Sequence, residues 1–190
     1  AIDINQAIAN GETGTLYVDG VAVASTYSAN GASSTLTPTT ALPDGSYQIT
    51  YTITDANGNE SAQTAAGTVV IDTVAPEVTI TSSTSTVNSA TQTVEGTGTP
   101  GATVTLHSNG GNALSSTPGT ITIGANGEWT GQVTIVSGQA LTAKATDAAS
   151  NVSTSSSITY TVDASAPTIS AVAIDGGDVL NSTEIASNAS

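Results

Sequence analysis

The 190-residue sequence predicts an all-β fold in which two β-sandwich units lie end to end. Three observations carry that expectation: apolar residues alternate with polar ones at strand period, turn signals recur at short spacing, and the chain repeats itself after about ninety residues.

Alternation is plainest in "YQITYTIT" from Tyr47, which puts Tyr47, Ile49, Tyr51 and Ile53 on one face and Gln and Thr on the other. "SSITYTV" from Ser156 repeats the pattern, so both segments are expected as half-buried strands. Phe, Met and Cys are absent, Trp occurs once, and the apolar stock is Val, Ile, Ala and some Leu among many Thr and Ser. Such β-branched residues favour pleated strands, and no helix is expected. Small side chains bury little area each, at roughly 25 cal/mol per Å2, so each unit is only modestly stable by itself.

Between the strands stand Asp19-Gly20, Asn30-Gly31, Pro43-Asp44-Gly45, Asn109-Gly110 and Asn126-Gly127. Asn-Gly and Asp-Gly accept the positive φ of tight hairpin turns, and many short strands punctuated in this way make a β-sandwich.

The repeat is carried by aspartates. "TDANGN" from Thr54 returns as "TDAASN" from Thr146, and Asp72-x-x-Ala-Pro76 returns as Asp163-x-x-Ala-Pro167. Asp55 and Asp147 are 92 positions apart, Asp72 and Asp163 are 91, and Asn30-Gly31 precedes Asn126-Gly127 by 96, small differences of the kind that loop insertions produce. The expected division is a unit at 1–71 without its first strand, a complete unit at 72–162 that begins with "APEVTITS", and at 163–190 the first strand of a following unit. Wrapping Ser190 onto Ala1 mends both ends, so residues 163–190 are expected to complete residues 1–71 of the next copy, in tandem or by strand donation.

Fifteen acidic residues against one Lys, with no Arg, give a formal net charge of -14. Phosphate binding needs clustered Lys or Arg, so nucleic acid and acidic membrane surfaces are not expected partners, whereas cations are. Without cysteine there is no disulfide, thiolate metal site or cysteine nucleophile. No run approaches the roughly 18 apolar residues of a membrane span, so no membrane insertion is expected.

The two Asp-x-x-Ala-Pro junctions, the "TDANGN" and "TDAASN" loops and "LPDGSYQITYTITD" together resemble the bacterial immunoglobulin-like repeats of giant biofilm adhesins. The resemblance covers nearly the whole chain. It implies tandem immunoglobulin-like sandwiches in a long extracellular stalk on the bacterial cell surface, exported by type I secretion. It also implies calcium at the domain junctions, held by linker and loop aspartates.

Sandwich geometry agrees with that placement. The loop between the last two strands lies at the pole where the chain enters, and the last strand carries the chain to the opposite pole. Asp72 is thus expected to meet the loop of Asp147, and Asp163 to meet the loop of Asp55 in a following copy. Asn151 and Asn59, with backbone carbonyls and water, would complete the six to eight oxygens of a hard cation. The alternative for these residues is the ordinary one: Asp and Asn in turns serve the backbone. Asp44, Asp175 and Asp178 are weaker candidates for a second ion, and Glu12 and Glu77 weaker still.

Other motifs carry less. Asp55, Asn57 and Asn59 imitate the start of an EF-hand loop, but Glu60 stands where glycine is needed. "GTGTPG" at 96–101 has the letters of a dinucleotide fingerprint, yet "ATVTLHS" follows as a strand and offers no helix N-terminus. His107, the only histidine, has no second His or Cys to join it at a metal, and no nucleophile elbow accompanies the many serines. Trp129 and Tyr160 are expected in or beside the core rather than as a sugar platform. The reading is a non-enzymatic structural repeat that serves adhesion or biofilm cohesion by reach, joined head to tail to further copies of itself, with a tip ligand these residues do not name. The rival reading is a glycan- or protein-binding recognition module.

Overall fold

The computed structural model describes residues 1–168, apart from residues 5, 31, 32, 66, 109 and 110. The expected second-ion candidates Asp175 and Asp178, and nearly all of the expected donor strand, lie outside the described residues.

Seven strands build the first sandwich: β1 (Ile2–Asp3), β2 (Thr13–Val18), β3 (Val21–Val23), β4 (Ser25–Asn30), β5 (Ser33–Pro38), β6 (Gly45–Thr54) and β7 (Gly67–Ile71). They form two sheets, β1-β5-β4 and β3-β2-β6-β7. Leu36 from the first sheet packs with Leu16, Val18 and Ile49 from the second. The second sandwich contains β8 (Val78–Ile80), β9 (Ser85–Val87), β10 (Thr91–Gly98), β11 (Thr103–Ser108), β12 (Ser116–Thr117), β13 (Ile121–Thr122), β14 (Glu128–Thr134), β15 (Ala140–Thr146), β16 (Val152–Thr154) and β17 (Ile158–Val162). Its sheets run β12-β14-β10-β8 and β13-β11-β15-β17-β9, with β16 appended to β15. No helix occurs among the described residues.

The turns follow backbone chemistry. Asp19 and Gly20 have φ of 51° and 80°, the two left-handed residues of a primed two-residue turn between β2 and β3. Asn126-Gly127 is not such a turn. Gly127 donates to the Gly124 carbonyl and has φ 79°, while the Gly124 N–H reaches Glu128, so only the glycine takes the left-handed place in a longer loop. Asn30 is the last residue of β4, paired with Ser33 across residues outside the description, and Asn109-Gly110 also lies outside it.

The alternation of β6 holds for its core face, where Ile49 is buried and Tyr47, Tyr51 and Ile53 pack beside it. It fails at Thr52, expected on the solvent face but buried. The cause is Glu60, whose carboxylate folds over the strand and accepts from the Thr52 and Tyr17 hydroxyls at 2.7 and 3.0 Å.

The glycines of "GTGTPG" have packing roles in place of the phosphate roles their letters imitate. A side chain on Gly96 would collide with the Thr79 carbonyl and the Trp129 ring, one on Gly98 with the Glu77 carbonyl, and Gly101 turns at φ 86°. Gly11, at φ 89°, makes the corresponding turn in the first sandwich.

The two cores differ in extent. Among the described residues fourteen buried apolar side chains form the second core and six the first, which is the shorter sandwich. In the second, β8 pairs with β10, and β9 runs parallel to β17, which together cover one flank. In the first, β1 and β7 occupy the places of β10 and β17 and lie at the edges of their sheets.

Denaturation should therefore occur in two steps, the first sandwich melting before the second. Leu106→Ala, at a fully buried site, should lower only the later step, by about 2–5 kcal/mol. Gly96→Ala should lower the same step by about 1–3 kcal/mol through overpacking. Denaturant melts followed through Trp129, which lies in the second core, report that step separately.

Candidate functional site at the domain junction

Asp55 follows β6 and Asp147 follows β15, and the loops they open are built alike. The Asp55 N–H bonds the Asn59 carbonyl, and the Gly58 N–H returns to the Asp55 carbonyl. The Asp55 carboxylate accepts from the Asn57 and Asn59 N–H groups at 2.9 and 2.8 Å and from the Asn59 amide at 2.9 Å. In the second loop the Asp147 carboxylate accepts from the Asn151 N–H and the Asn151 amide at 2.9 and 3.0 Å. The left-handed residue is Gly58 (φ 87°) in one loop and Ser150 (φ 72°) in the other.

These hydrogen bonds hold both carboxyls below the usual carboxylate range. The side-chain amide of Asn59 is the largest cause for Asp55, and that of Asn151 for Asp147. Asp163 is lowered as well, chiefly by the Ser165 hydroxyl.

The linkers repeat a second small motif. Asp72 accepts the Val74 N–H at 3.1 Å, and Asp163 accepts the Ser165 N–H at 2.9 Å, each closing a turn over the residue between. One contact joins linker to loop. The Asn151 amide nitrogen donates to the Asp72 carbonyl at 3.0 Å while also bonding the Asp147 carboxylate, so Asp72, Asp147 and Asn151 come together across 79 positions of sequence. From the first sandwich, Asp44 reaches the same linker: its carboxylate accepts the Thr73 hydroxyl at 2.9 Å and the Thr73 N–H at 3.2 Å. Sequence reasoning did not find the Asp44–Thr73 clasp, for "LPDGSY" reads as a turn and nothing in it points to a residue 29 positions on.

Asp163 and Asp55 are not brought together within the chain. Asp163 leaves the far pole of the second sandwich, where its N–H bonds the Val87 carbonyl at 2.8 Å. Asp55 lies at the near pole of the first, its loop beside the Ala9–Glu12 turn, where Gly11 faces Ala56.

The oxygens of the junction residues, from two carboxylates, an amide and a backbone carbonyl, are of the kind that suits a hard cation, but here the Asn151 amide turns its nitrogen to Asp72 and Asp147. No group of three or more His, Cys, Asp or Glu side chains able to hold a metal occurs among the described residues. Two carboxylates supplemented by neutral oxygens would make only a weak site, because affinity rises with the number of charged ligands.

The remaining candidates have local roles. The Glu12 carboxylate accepts the Ala9 N–H at 2.8 Å, and the Glu77 carbonyl accepts the Thr99 N–H at 3.0 Å. His107 lies on β11 with its ring between the Thr105 hydroxyl and the Gly111 carbonyl. Trp129 and Tyr160 are each 4 % exposed and belong to the core, so neither presents a face for stacking on a sugar. An open groove of about 540 Å3 runs past Trp129 between Glu95, Asn126 and Glu128. No helix among the described residues is long and apolar enough to cross a membrane.

Two outcomes test the loop chemistry. Ser150→Gly should raise the stability of the second sandwich by about 1 kcal/mol, the cost of a side chain in left-handed backbone, and Gly58→Ala should lower that of the first by a similar amount. Because folding lowers these aspartate pKa values, their contribution to stability is present above the ordinary carboxylate pKa and is lost as pH falls through the folded values. Melting temperatures should drop between about pH 5 and pH 3, and Asp55→Asn with Asp147→Asn should flatten that drop.

Comparison with known proteins agrees with this architecture. Residues 6–73 match the family model described as bacterial Ig-like domain, and residues 75–162 match that described as bacterial Ig domain. No curated protein matches the sequence. Among solved structures, the fibronectin(III)-like modules of Clostridium thermocellum CbhA align with 80% of this chain and 77% of theirs, at 15% identity and a TM-score of 0.51. The BSP domain structure of a biofilm-associated protein aligns at 25% identity and a TM-score of 0.34, over 81% of this chain and 25% of its own. A tetra-tandem repeat from the extending region of a large adhesion protein aligns at 23% identity and a TM-score of 0.36, over 84% and 43%. The chain is thus an all-β tandem of immunoglobulin-like sandwich domains, each matched by a bacterial family of that fold.

Proposed function

We propose that the chain is a structural repeat of an extracellular adhesin stalk or filament on the bacterial cell surface, joined head to tail to further copies of itself and stiffened by calcium at its junctions. The observation that carries this reading is the hydrogen bond from the Asn151 amide to the Asp72 carbonyl, which ties the linker to the next sandwich instead of leaving the two free to swing. Matches to two bacterial immunoglobulin-like families support it, as do the adhesin-like junction motifs and a net charge of -14 that favours cations over nucleic acid as partners. Export by type I secretion and the absence of membrane insertion belong to the same reading.

Asp72, Asp147 and Asn151 would hold the ion inside the chain, and Asp163 would do so with Asp55 and Asn59 of a following copy. Calcium supplies positive charge between carboxylates that would otherwise repel. The chain's own part is to place those oxygens: the Asp147 loop is fixed by its own N–H donors, and the Asp72 turn sets the direction in which the linker leaves.

Small-angle scattering in calcium and then in chelator should show a longer maximum dimension and a higher melting temperature in calcium. Identical curves and melts would remove calcium while leaving the Asn151 clasp. Asp147→Ala should loosen the hinge at Asp72 without unfolding either sandwich, and Asp55→Ala should spare it. Equal loosening by both would break the assignment of loops to poles.

A further inference from the structure

We infer that the peptide unit between Asp72 and Thr73 is a latch that sets the angle between the two sandwiches without any ion, and that a cation drawn to the Asp72 and Asp147 oxygens has to displace the Asn151 amide that closes it. The second half of the inference rests on the calcium reading above; the latch does not.

Both grips fall on one peptide group. Its carbonyl, that of Asp72, accepts from the Asn151 amide of the second sandwich at 3.0 Å. Its N–H, that of Thr73, donates to the Asp44 carboxylate of the first sandwich at 3.2 Å, and the Thr73 hydroxyl donates to the same carboxylate at 2.9 Å. A trans peptide group is planar and points its C=O and N–H to opposite sides. Each sandwich therefore holds one side of a rigid plate, and turning either about the linker breaks one of the two grips.

The latch is polar throughout. Residues 72–75 are exposed, Val74 by 68%, and Val152, next to Asn151, is 52% exposed. Neither core includes any of these side chains, so opening the latch uncovers no apolar interior.

The direction of the Asn151 amide is dictated by its neighbours. A backbone carbonyl and a carboxylate only accept, so the amide turns its nitrogen to both and spends one hydrogen on Asp72 and one on Asp147, each at 3.0 Å. The other Asp147 oxygen is taken by the Asn151 N–H at 2.9 Å. Joining two acceptor oxygens is the part a hard cation plays between its ligands. Amide nitrogen and cation seek the same lone pairs and cannot hold them together. The Asp55 loop shows that the loop alone makes no latch: the Asn59 amide holds Asp55 at 2.9 Å in the same way, and meets no linker carbonyl among the described residues.

An aspartate at position 151 should reverse the preference. A carboxylate has no hydrogen to donate, so it repels the two oxygens that the amide joins, and it adds a charged ligand for a cation, whose affinity rises with their number.

The test follows the 190-residue chain by NMR relaxation and small-angle scattering, first in chelator and then along a calcium titration. In chelator the wild-type sandwiches should tumble as one body. Asn151→Ala and Asp44→Ala should each let them tumble separately, with a shorter maximum dimension. The two substitutions together should add little, since releasing either side already frees the plate. Both melting transitions should stay in place, which separates an open latch from an unfolded sandwich. Calcium should shift the side-chain amide signals of Asn151 as the nitrogen is displaced. Asn151→Asp, loose in chelator, should stiffen at a calcium concentration several-fold below the one that displaces the wild-type amide. Wild-type sandwiches that tumble as independently in chelator as those of Asn151→Ala overturn the latch. Calcium that binds and leaves the Asn151 amide signals unchanged overturns the displacement. If neither the wild type nor Asn151→Asp takes calcium, the calcium reading falls together with the displacement, and the chelator measurements still decide the latch.

Discussion

Each end of each sandwich is organised by an aspartate that accepts hydrogen bonds from the backbone just ahead of it. At Asp55 and Asp147 the carboxylate gathers the N–H groups and amide of an asparagine four positions on, which fixes a five-residue loop without any apolar support. At Asp72 and Asp163 it holds an N–H two positions on, which sets how the linker departs. In a chain without cysteine and with few large apolar side chains, such polar turns do what a larger core or a disulfide does elsewhere. The junction depends on them directly: the Asn151 amide reaches the Asp72 carbonyl because Asp147 already holds that amide in place.

This explains how much was legible in the sequence. A period of two in "YQITYTIT" and "SSITYTV", and a repeat of aspartates at nearly constant offset, are patterns a sandwich cannot avoid writing, because one face of each strand is buried and each loop has to close. The fold class and the matched loops are therefore legible, as is the meeting of the Asp72 linker with the Asp147–Asn151 loop, whereas a metal role for them is not something these hydrogen bonds test. What escaped depends on contacts between residues distant in sequence. Thr52 sits on a face that alternation assigns to solvent, and only the long side chain of Glu60 covers it. Asp44 looks like a turn residue until the linker it clasps is seen beside it. Asn126-Gly127 has the letters of a two-residue hairpin, but its flanking strands belong to different sheets, and a longer loop is needed to pass between them.

The same reasoning separates the glycines of "GTGTPG" from their resemblance to a nucleotide-binding loop. Two of the three have no room for a side chain because a neighbouring strand and an indole stand against them, and the third turns the chain. Spacing alone does not distinguish a backbone approached by phosphate from one approached by another strand; the strand that follows does.

The parallel pairing of β9 with β17 has a mechanical consequence. One strand belongs to the start of the domain and the other to its end, so tension applied along the chain pulls the two past each other in shear. Their hydrogen bonds must then yield together, unlike those of an antiparallel hairpin, which open one after another from the loaded end. A sandwich that has this pair resists extension along its own axis.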